Sequence, residues 1–326
     1  MSIFTAIPEP LRKAARAVLP ARLVDGSRDY ILRHYYVRGF VNRTGPVKGA
    51  IERHVLHKPP HLHRLLFHVT DHCNLNCKGC THFSNISAKH MADPDEYRAD
   101  ILRLTEVFSG ITEIFLLGGE PLLHPDLESF VRITREAFPK SRIKVMTNGV
   151  LVGRMPDSFW NAMRETGSWL LCDDYPVGAT KEEIEAVVVA HDVLLEWTDP
   201  REEFFKLPID LTGSQDPAVS FRRCRGVMNC PVLRDGRIYP CAYAAFVEIF
   251  IKKFGTEGLE AGEKDSISIE RDPYAIWDFL NEPVPWCRHC DFDSKETYRW
   301  ARSKGTMDEW ISDSCEPTEP STSRAD

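Results

Sequence analysis

The sequence predicts an α/β protein: a partial (β/α)6 barrel of the TIM type, with a helical extension before it and a small cysteine-rich domain after it. Three observations carry this expectation. Short apolar runs alternate with amphipathic helical patterns between residues 61 and 222, the runs end in turn residues, and the cysteines gather in one group inside that region and another beyond it. Buried strands alternating with amphipathic helices are the pattern of a parallel sheet covered by helices, joined by right-handed connections. A full or partial barrel fits better than an open sheet, although periodicity does not separate them.

The elements follow in order. Residues 1–60 read as short helices broken by prolines and glycines, with Tyr30, Ile31, Tyr35, Tyr36 and Phe40 as apolar positions and Pro59-Pro60 as the closing punctuation. Leu65–Val69 is the first strand and Tyr97–Phe108 a helix. Ile111–Leu117 is the second strand, ending in two glycines, and Leu127–Phe138 the next helix. Arg142–Met146, closed by Thr147-Asn148-Gly149, precedes a helix over Pro156–Glu165 that starts at its proline. Trp169–Leu171, the helix Lys181–Ala190 and Val193–Trp197 complete five units, with a sixth strand expected within 207–222. The expected organisation is therefore an extension (1–60), a barrel core (61–222), a cysteine-rich domain (223–300) and a tail (301–326), which is Ser/Thr/Pro/Glu-rich from Glu316.

Composition sets the bounds. The 326 residues are 43% hydrophobic and 27% charged, with mean hydropathy -0.31, which suits a globular chain with ample core. No run approaches the roughly 18–20 apolar residues of a membrane span. Pro8, Pro10, Arg12 and Lys13 interrupt any secretory signal pattern, so ten cysteines point to thiolate ligands in a reducing cytoplasm rather than to a disulfide framework. The net charge of -7 is uneven, with 1–66 at +8 and the remainder at -15. The basic arm either packs on the acidic body or makes peripheral contact with an anionic membrane. Overall acidity argues against nucleic acid as the main partner.

The most informative segment is Thr70-Asp71-His72-Cys73-Asn74-Leu75-Asn76-Cys77-Lys78-Gly79-Cys80, a CxxxCxxC loop at the carboxyl end of the first strand, where barrels of this kind place active sites. Three thiolates can ligate three corners of a cubane iron–sulfur cluster and leave the fourth iron open, whereas a structural metal site wants a closed shell. The competing reading is a zinc knuckle that borrows His72 or His82. At the end of the second strand stands Gly118-Gly119-Glu120-Pro121, whose glycines permit close backbone approach.

With both motifs at consecutive strand ends, the sequence resembles the radical S-adenosylmethionine (radical SAM) superfamily. The resemblance implies a [4Fe–4S] cluster on Cys73, Cys77 and Cys80, with SAM chelating the open iron, and an electron donor such as flavodoxin or ferredoxin. It further implies that Gly118, Gly119, Glu120 and Pro121 line the methionine end of SAM and receive its ammonium. Where the family usually places an aromatic before the third cysteine, Gly79 stands here, and Phe83 either takes over the adenine packing or belongs to the core. The Cys-Thr-His-Phe-Ser run at 80–84 resembles a bacterial subgroup associated with sugar or polysaccharide modification. Thr147 and Asn148 at the third strand end are further candidates for holding the cofactor. At the fourth, Asp173 or Asp174 would accept from the SAM ribose, act as general base or cap a helix, while Cys172 is a hydrogen-atom donor or a small buried hydrophobe.

Beyond the barrel, Cys224, Cys230 and Cys241 flank an Asp235-Gly236 hairpin signal, and Cys287-Arg288-His289-Cys290 adds a CxxC. This set resembles the twitch or SPASM-like domain of the same superfamily, which implies an auxiliary iron–sulfur cluster of the [4Fe–4S] kind; the alternative is a zinc ribbon. Five cysteines compete for four positions, with Cys241, Cys287 and Cys290 expected and Cys224 and Cys230 contending. The resemblance implies an enzyme that cleaves SAM reductively and abstracts hydrogen from a small polar molecule, carbohydrate- or aminocyclitol-like, ending in dehydrogenation or epimerisation. The alternatives are a maturase of a peptide or protein side chain and a non-catalytic zinc- or cluster-binding regulator.

Overall fold

The computed structural model describes residues 51–198, 203–225, 230–256, 259 and 262–312. The basic arm up to residue 50, Cys315 and the Ser/Thr-rich end lie outside the described residues, so the expectations placed on them stand as expectations.

Strands β1 (His61–Thr70), β2 (Gly110–Gly118), β3 (Arg142–Thr147), β4 (Trp169–Cys172) and β5 (Leu194–Trp197) pair in parallel, each with the next. Helices α1 (Pro94–Val107), α2 (Leu127–Ala137), α3 (Asp157–Thr166) and α4 (Lys181–Ala190) form the crossovers between them. The ends of these helices are written locally. Asp93 caps α1 by accepting from the backbone N–H of Asp95 and Glu96, Gly167 closes α3 at φ 59°, and Thr180 with Glu183 forms a capping box on α4.

The sixth parallel strand is not where the sequence predicts it. Within 207–222 the chain is mostly loop, and the start of α5 (Pro217–Arg225) lies there. The strand just before it, β6 (Glu203–Lys206), leaves the sheet to pair antiparallel with β10 (Glu296–Arg299). Parallel pairing with β1 falls instead to β7 (Val232–Arg234), the first arm of the Asp235-Gly236 hairpin, with β8 (Arg237–Tyr239) and β9 (Ile267–Ser268) added antiparallel. The sheet order is β5-β4-β3-β2-β1-β7-β8-β9. The hairpin assigned to the cysteine-rich domain is thus continuous with the barrel sheet.

Two apolar cores lie on the two faces of this sheet. Leu65, Phe67 and Val69 of β1 belong to the core shared with α1, α2 and α3, where Tyr97, Ile101 and Leu104 recur on one helical face. Leu66, Phe115, Leu117 and Val232 belong to the other, filled by α6 (Ala242–Phe254), Trp286 and Trp310. Each fully buried large aliphatic side chain contributes about 1.5–3 kcal/mol. The short helix α7 (Pro273–Phe279) packs beside β9.

Candidate active site

The loop that follows β1 and the loop that follows β2 are bonded backbone to backbone. Gly119 N donates to Thr70 O at 3.1 Å and Glu120 N to His72 O at 3.1 Å, while Thr70 Oγ1 reaches Glu120 O at 3.1 Å. The two glycines are required by this approach. A Cβ on Gly118 would stand 2.1 Å from Thr70 O, and one on Gly119 2.2 Å from His72 O. The strand-end glycines therefore set the position of the cysteine loop.

Cys73, Cys77 and Cys80 line one cavity of about 260 Å³ together with Gly118, Gly119, Thr147, Asn148, Asp173, Tyr175, Phe204 and Tyr298. Cys73 Sγ accepts from Leu75 N at 3.3 Å, and Cys77 Sγ accepts from the Trp300 indole at 3.2 Å. Burial pushes the Cys73 thiol up to about 12 and the Cys77 thiol up to about 11. Tyr175, Phe204 and Tyr298 form a stacked row, with ring centroids 5.6 and 6.4 Å apart.

Of the other expected cofactor residues, Gly118, Gly119, Thr147 and Asn148 stand at the cavity, and three residues do not. Glu120 is fully buried and turned inward, accepting from Thr147 Oγ1 at 2.6 Å, Asn148 N at 2.9 Å and Leu122 N at 3.1 Å. Burial raises its carboxyl to about 7, even against these three hydrogen bonds. Its carboxyl group joins the second and third strand ends through these bonds. Pro121 is buried as the first residue of a short 3-10 turn. Phe83 is fully buried against Tyr243, Phe250 and Trp310, which corrects the expectation that it packs on adenine.

The fourth strand end separates its three candidates. Asp173 lines the cavity. Asp174 pairs with Lys181 at 2.8 Å outside the cavity wall. Cys172 is fully buried in the helix-side core, which corrects the expectation of a hydrogen-atom donor; it is the small buried hydrophobe.

The second cysteine set also resolves. Cys241 and Cys290 are each raised well above the usual thiol range, first by burial and then by neighbouring thiols, Cys224 and Cys287 for Cys241, and Cys241, Cys224 and Cys287 for Cys290. Cys241 is the N-cap of α6, Cys224 rides on α5, and Cys287 and Cys290 lie in and after the 3-10 turn Pro285–His289. Cys230 is elsewhere: its charged neighbour is Arg64 of β1.

Two features escaped the sequence reading. Asp71, at the start of the cysteine loop, takes a two-pronged ion pair from Arg234 of β7, both contacts at 3.0 Å, with His68 and His90 at 3.5 and 3.4 Å. Burial opposes its ionisation, but hydrogen bonds from His68 and Arg234 hold the carboxyl well below the usual range. The second is the chain after β10, which crosses the cysteine loop. Lys78 N donates to Ala301 O at 2.9 Å, Ser303 N to Asn76 O at 2.8 Å, and the Trp310 indole to Cys80 O at 2.9 Å. Lone aromatic residues among Glu296, Arg299, Arg302 and Lys304 give no periodic signal of such a contact.

Residues 67–178 match the Radical SAM superfamily. This segment is a radical SAM domain. Among curated proteins, the chain is similar to GTP 3',8-cyclase of Aliarcobacter butzleri, 24% identical over 213 residues, which is 63% of this chain and 62% of that protein. It is also similar to GTP 3',8-cyclase of Chlorobaculum tepidum, 31% identical over 99 residues, 29% of this chain and 28% of that one. Molybdenum cofactor biosynthesis protein 1 of Dictyostelium discoideum matches at 31% over 96 residues, 29% of this chain and 15% of its own. The matches thus span between 15% and 62% of these relatives' lengths. Among solved structures, BtrN in complex with AdoMet and 2-DOIA aligns at TM-score 0.42 and 20% identity, covering 71% of this chain and 93% of that one. SuiB of Streptococcus suis bound to the precursor peptide SuiA aligns at TM-score 0.37 and 11% identity, covering 76% of each.

A radical SAM domain binds a [4Fe–4S] cluster and SAM, and the donor set here fits them. Three soft thiol ligands from one loop line a single cavity. Cys224, Cys241, Cys287 and Cys290, whose thiols act electrostatically on one another, supply the same soft donor type.

Proposed function

We propose that this protein reductively cleaves SAM at a [4Fe–4S] cluster held by Cys73, Cys77 and Cys80, and dehydrogenates a small polar substrate of the carbohydrate or aminocyclitol kind. The observation that carries the reading is the shared cavity: three thiols on one wall, and a small polar remainder formed by Thr147, Asn148 and Asp173. Ser84 Oγ and the Asn85 amide atoms, also of residues lining the cavity, have no hydrogen-bond partner among the described residues, which suits a ligand rich in hydroxyl or amino groups.

When bound, the cluster, SAM and an auxiliary [4Fe–4S] cluster on Cys224, Cys241, Cys287 and Cys290 supply one-electron chemistry: a hydrogen-abstracting radical and an electron sink. The chain supplies the rest. Asp173 is placed to take the proton of a substrate hydroxyl, and the Tyr175–Phe204–Tyr298 row walls the cavity against water. Dehydrogenation is preferred to epimerisation because Cys172, the thiol that would return a hydrogen atom, is sealed in the core. Electrons come from a flavodoxin- or ferredoxin-like donor. The division into a core over 61–222 and an auxiliary-cluster domain over 223–300 is kept as a functional one.

The likeness to proteins named GTP 3',8-cyclase favours a second reading, cyclisation of a nucleoside triphosphate. Against it, Lys78 is the one Lys or Arg among the described residues lining the cavity, where a triphosphate calls for several. Anaerobic incubation of reconstituted protein with carbon-deuterated cyclitols and sugars, peptides or GTP tests the proposal. Deuterium entering 5'-deoxyadenosine from the polyol class supports it; transfer from a peptide or from GTP alone overturns the substrate assignment.

A further inference from the structure

The chain that leaves β10 runs as a short antiparallel strap across the cysteine loop, with Cys77 and Arg302 in bridge register. Backbone hydrogen bonds on either side of that bridge, Lys78 N to Ala301 O and Ser303 N to Asn76 O, fix the strap in height and direction. Tyr298 adds its hydroxyl to Lys78 O at 2.6 Å. Held between these points, the Trp300 indole delivers its N–H to Cys77 Sγ at 3.2 Å. An indole nitrogen only donates, so the sulfur is the acceptor. The two residues are 223 positions apart, and the contact joins the C-terminal strap to a ligand of the first cluster.

We propose that Trp300 is a positioning and tuning residue for the SAM-binding cluster, its N–H on Cys77 making that cluster easier to reduce. This rests on the reading of Cys73, Cys77 and Cys80 as its ligands. A cluster that gains an electron gains negative charge, which spreads onto its thiolates. A donor aimed at one of those sulfurs stabilises the reduced state more than the oxidised one, and hydrogen bonds to cluster sulfurs are among the determinants of the potential.

The experiment compares Cys287→Ala, which removes the auxiliary signal, with the same protein carrying in addition Trp300→Phe, Tyr298→Phe or Cys77→Ala. After anaerobic reconstitution, iron content and the midpoint potential of the remaining cluster are read by redox titration followed with electron paramagnetic resonance. The expected result is full loading in Trp300→Phe with a more negative potential. The shift should be about tenfold in the reduction equilibrium, or about 59 mV for one electron. Tyr298→Phe, which loosens the strap without touching sulfur, should leave the potential in place. An unmoved potential in fully loaded Trp300→Phe overturns the inference and leaves the cluster assignment standing, and so does an equal shift in Tyr298→Phe. A cluster signal that survives Cys77→Ala overturns the ligand reading itself, and the inference with it. If the phenyl ring lowers loading, β-(3-benzothienyl)alanine in place of Trp300 keeps the bicyclic shape without the N–H and gives the same decision.

Discussion

A single methyl group at Gly119 decides whether the two strand-end loops can meet. Its clash would be with backbone, His72 O at 2.2 Å, which has no rotamer by which to escape. Gly119→Ala should lower stability by about 1–3 kcal/mol and sharply reduce the iron bound on reconstitution, measured by urea unfolding and by iron per chain. Glu120 carries a pH signature. Its carboxyl stands near 7 in the folded chain against 4.5 unfolded, so the folded state holds the proton longer. The resulting stability is fully present below pH 4.5 and fades as pH rises through about 7, a change of about 3 kcal/mol. Urea unfolding of wild type and Glu120→Gln at pH 5 and pH 7.5 should show wild type losing stability relative to the variant as pH rises; parallel curves would contradict the placement. At this scale the cysteines and glycines were legible because their chemistry is tied to residue type. The directions of the Glu120 and Phe83 side chains were not legible, because a motif names a residue without giving the direction of its side chain.

The elements are held to the cysteine loop by the hairpin as much as by β1. Arg234 of β7 satisfies both oxygens of Asp71 and lies over Phe246 at 4.8 Å, so one side chain joins the hairpin, the loop and α6. Arg234→Ala leaves the buried Asp71 carboxylate with only the two histidines beside it and should cost about 3–5 kcal/mol, read by urea unfolding at neutral pH. A loss under 1 kcal/mol would place Asp71 in solvent rather than in the core. The five parallel strands and the four helices between them were readable because each strand holds a short apolar run and each helix repeats its buried face. The sixth parallel strand was not: Val232–Arg234 is three residues long, and its Asp-Gly turn signals a hairpin whether or not the first arm joins a larger sheet. β6 was missed for a related reason, since its partner β10 lies 90 residues away in a charged segment.

On the scale of the molecule, two thiol sites are joined through one sheet and one strap. The quartet makes a sharp forecast: Cys224→Ala, Cys241→Ala or Cys290→Ala should cut bound iron by about half, while Cys230→Ala, beside Arg64, should leave it unchanged. Iron analysis of the reconstituted variants decides it, and a loss in Cys230→Ala equal to that in Cys224→Ala would undo the quartet. The number of cysteines was plain in the sequence, but which four meet depends on where α5, α6 and the turn at Pro285–His289 are packed. The account as a whole depends on an iron left open in the first cluster. Its most direct test is electron paramagnetic resonance of reduced Cys287→Ala protein before and after SAM is added. A changed spectrum, together with 5'-deoxyadenosine formation that Cys73→Ala abolishes, is the predicted result; a spectrum indifferent to SAM would contradict it.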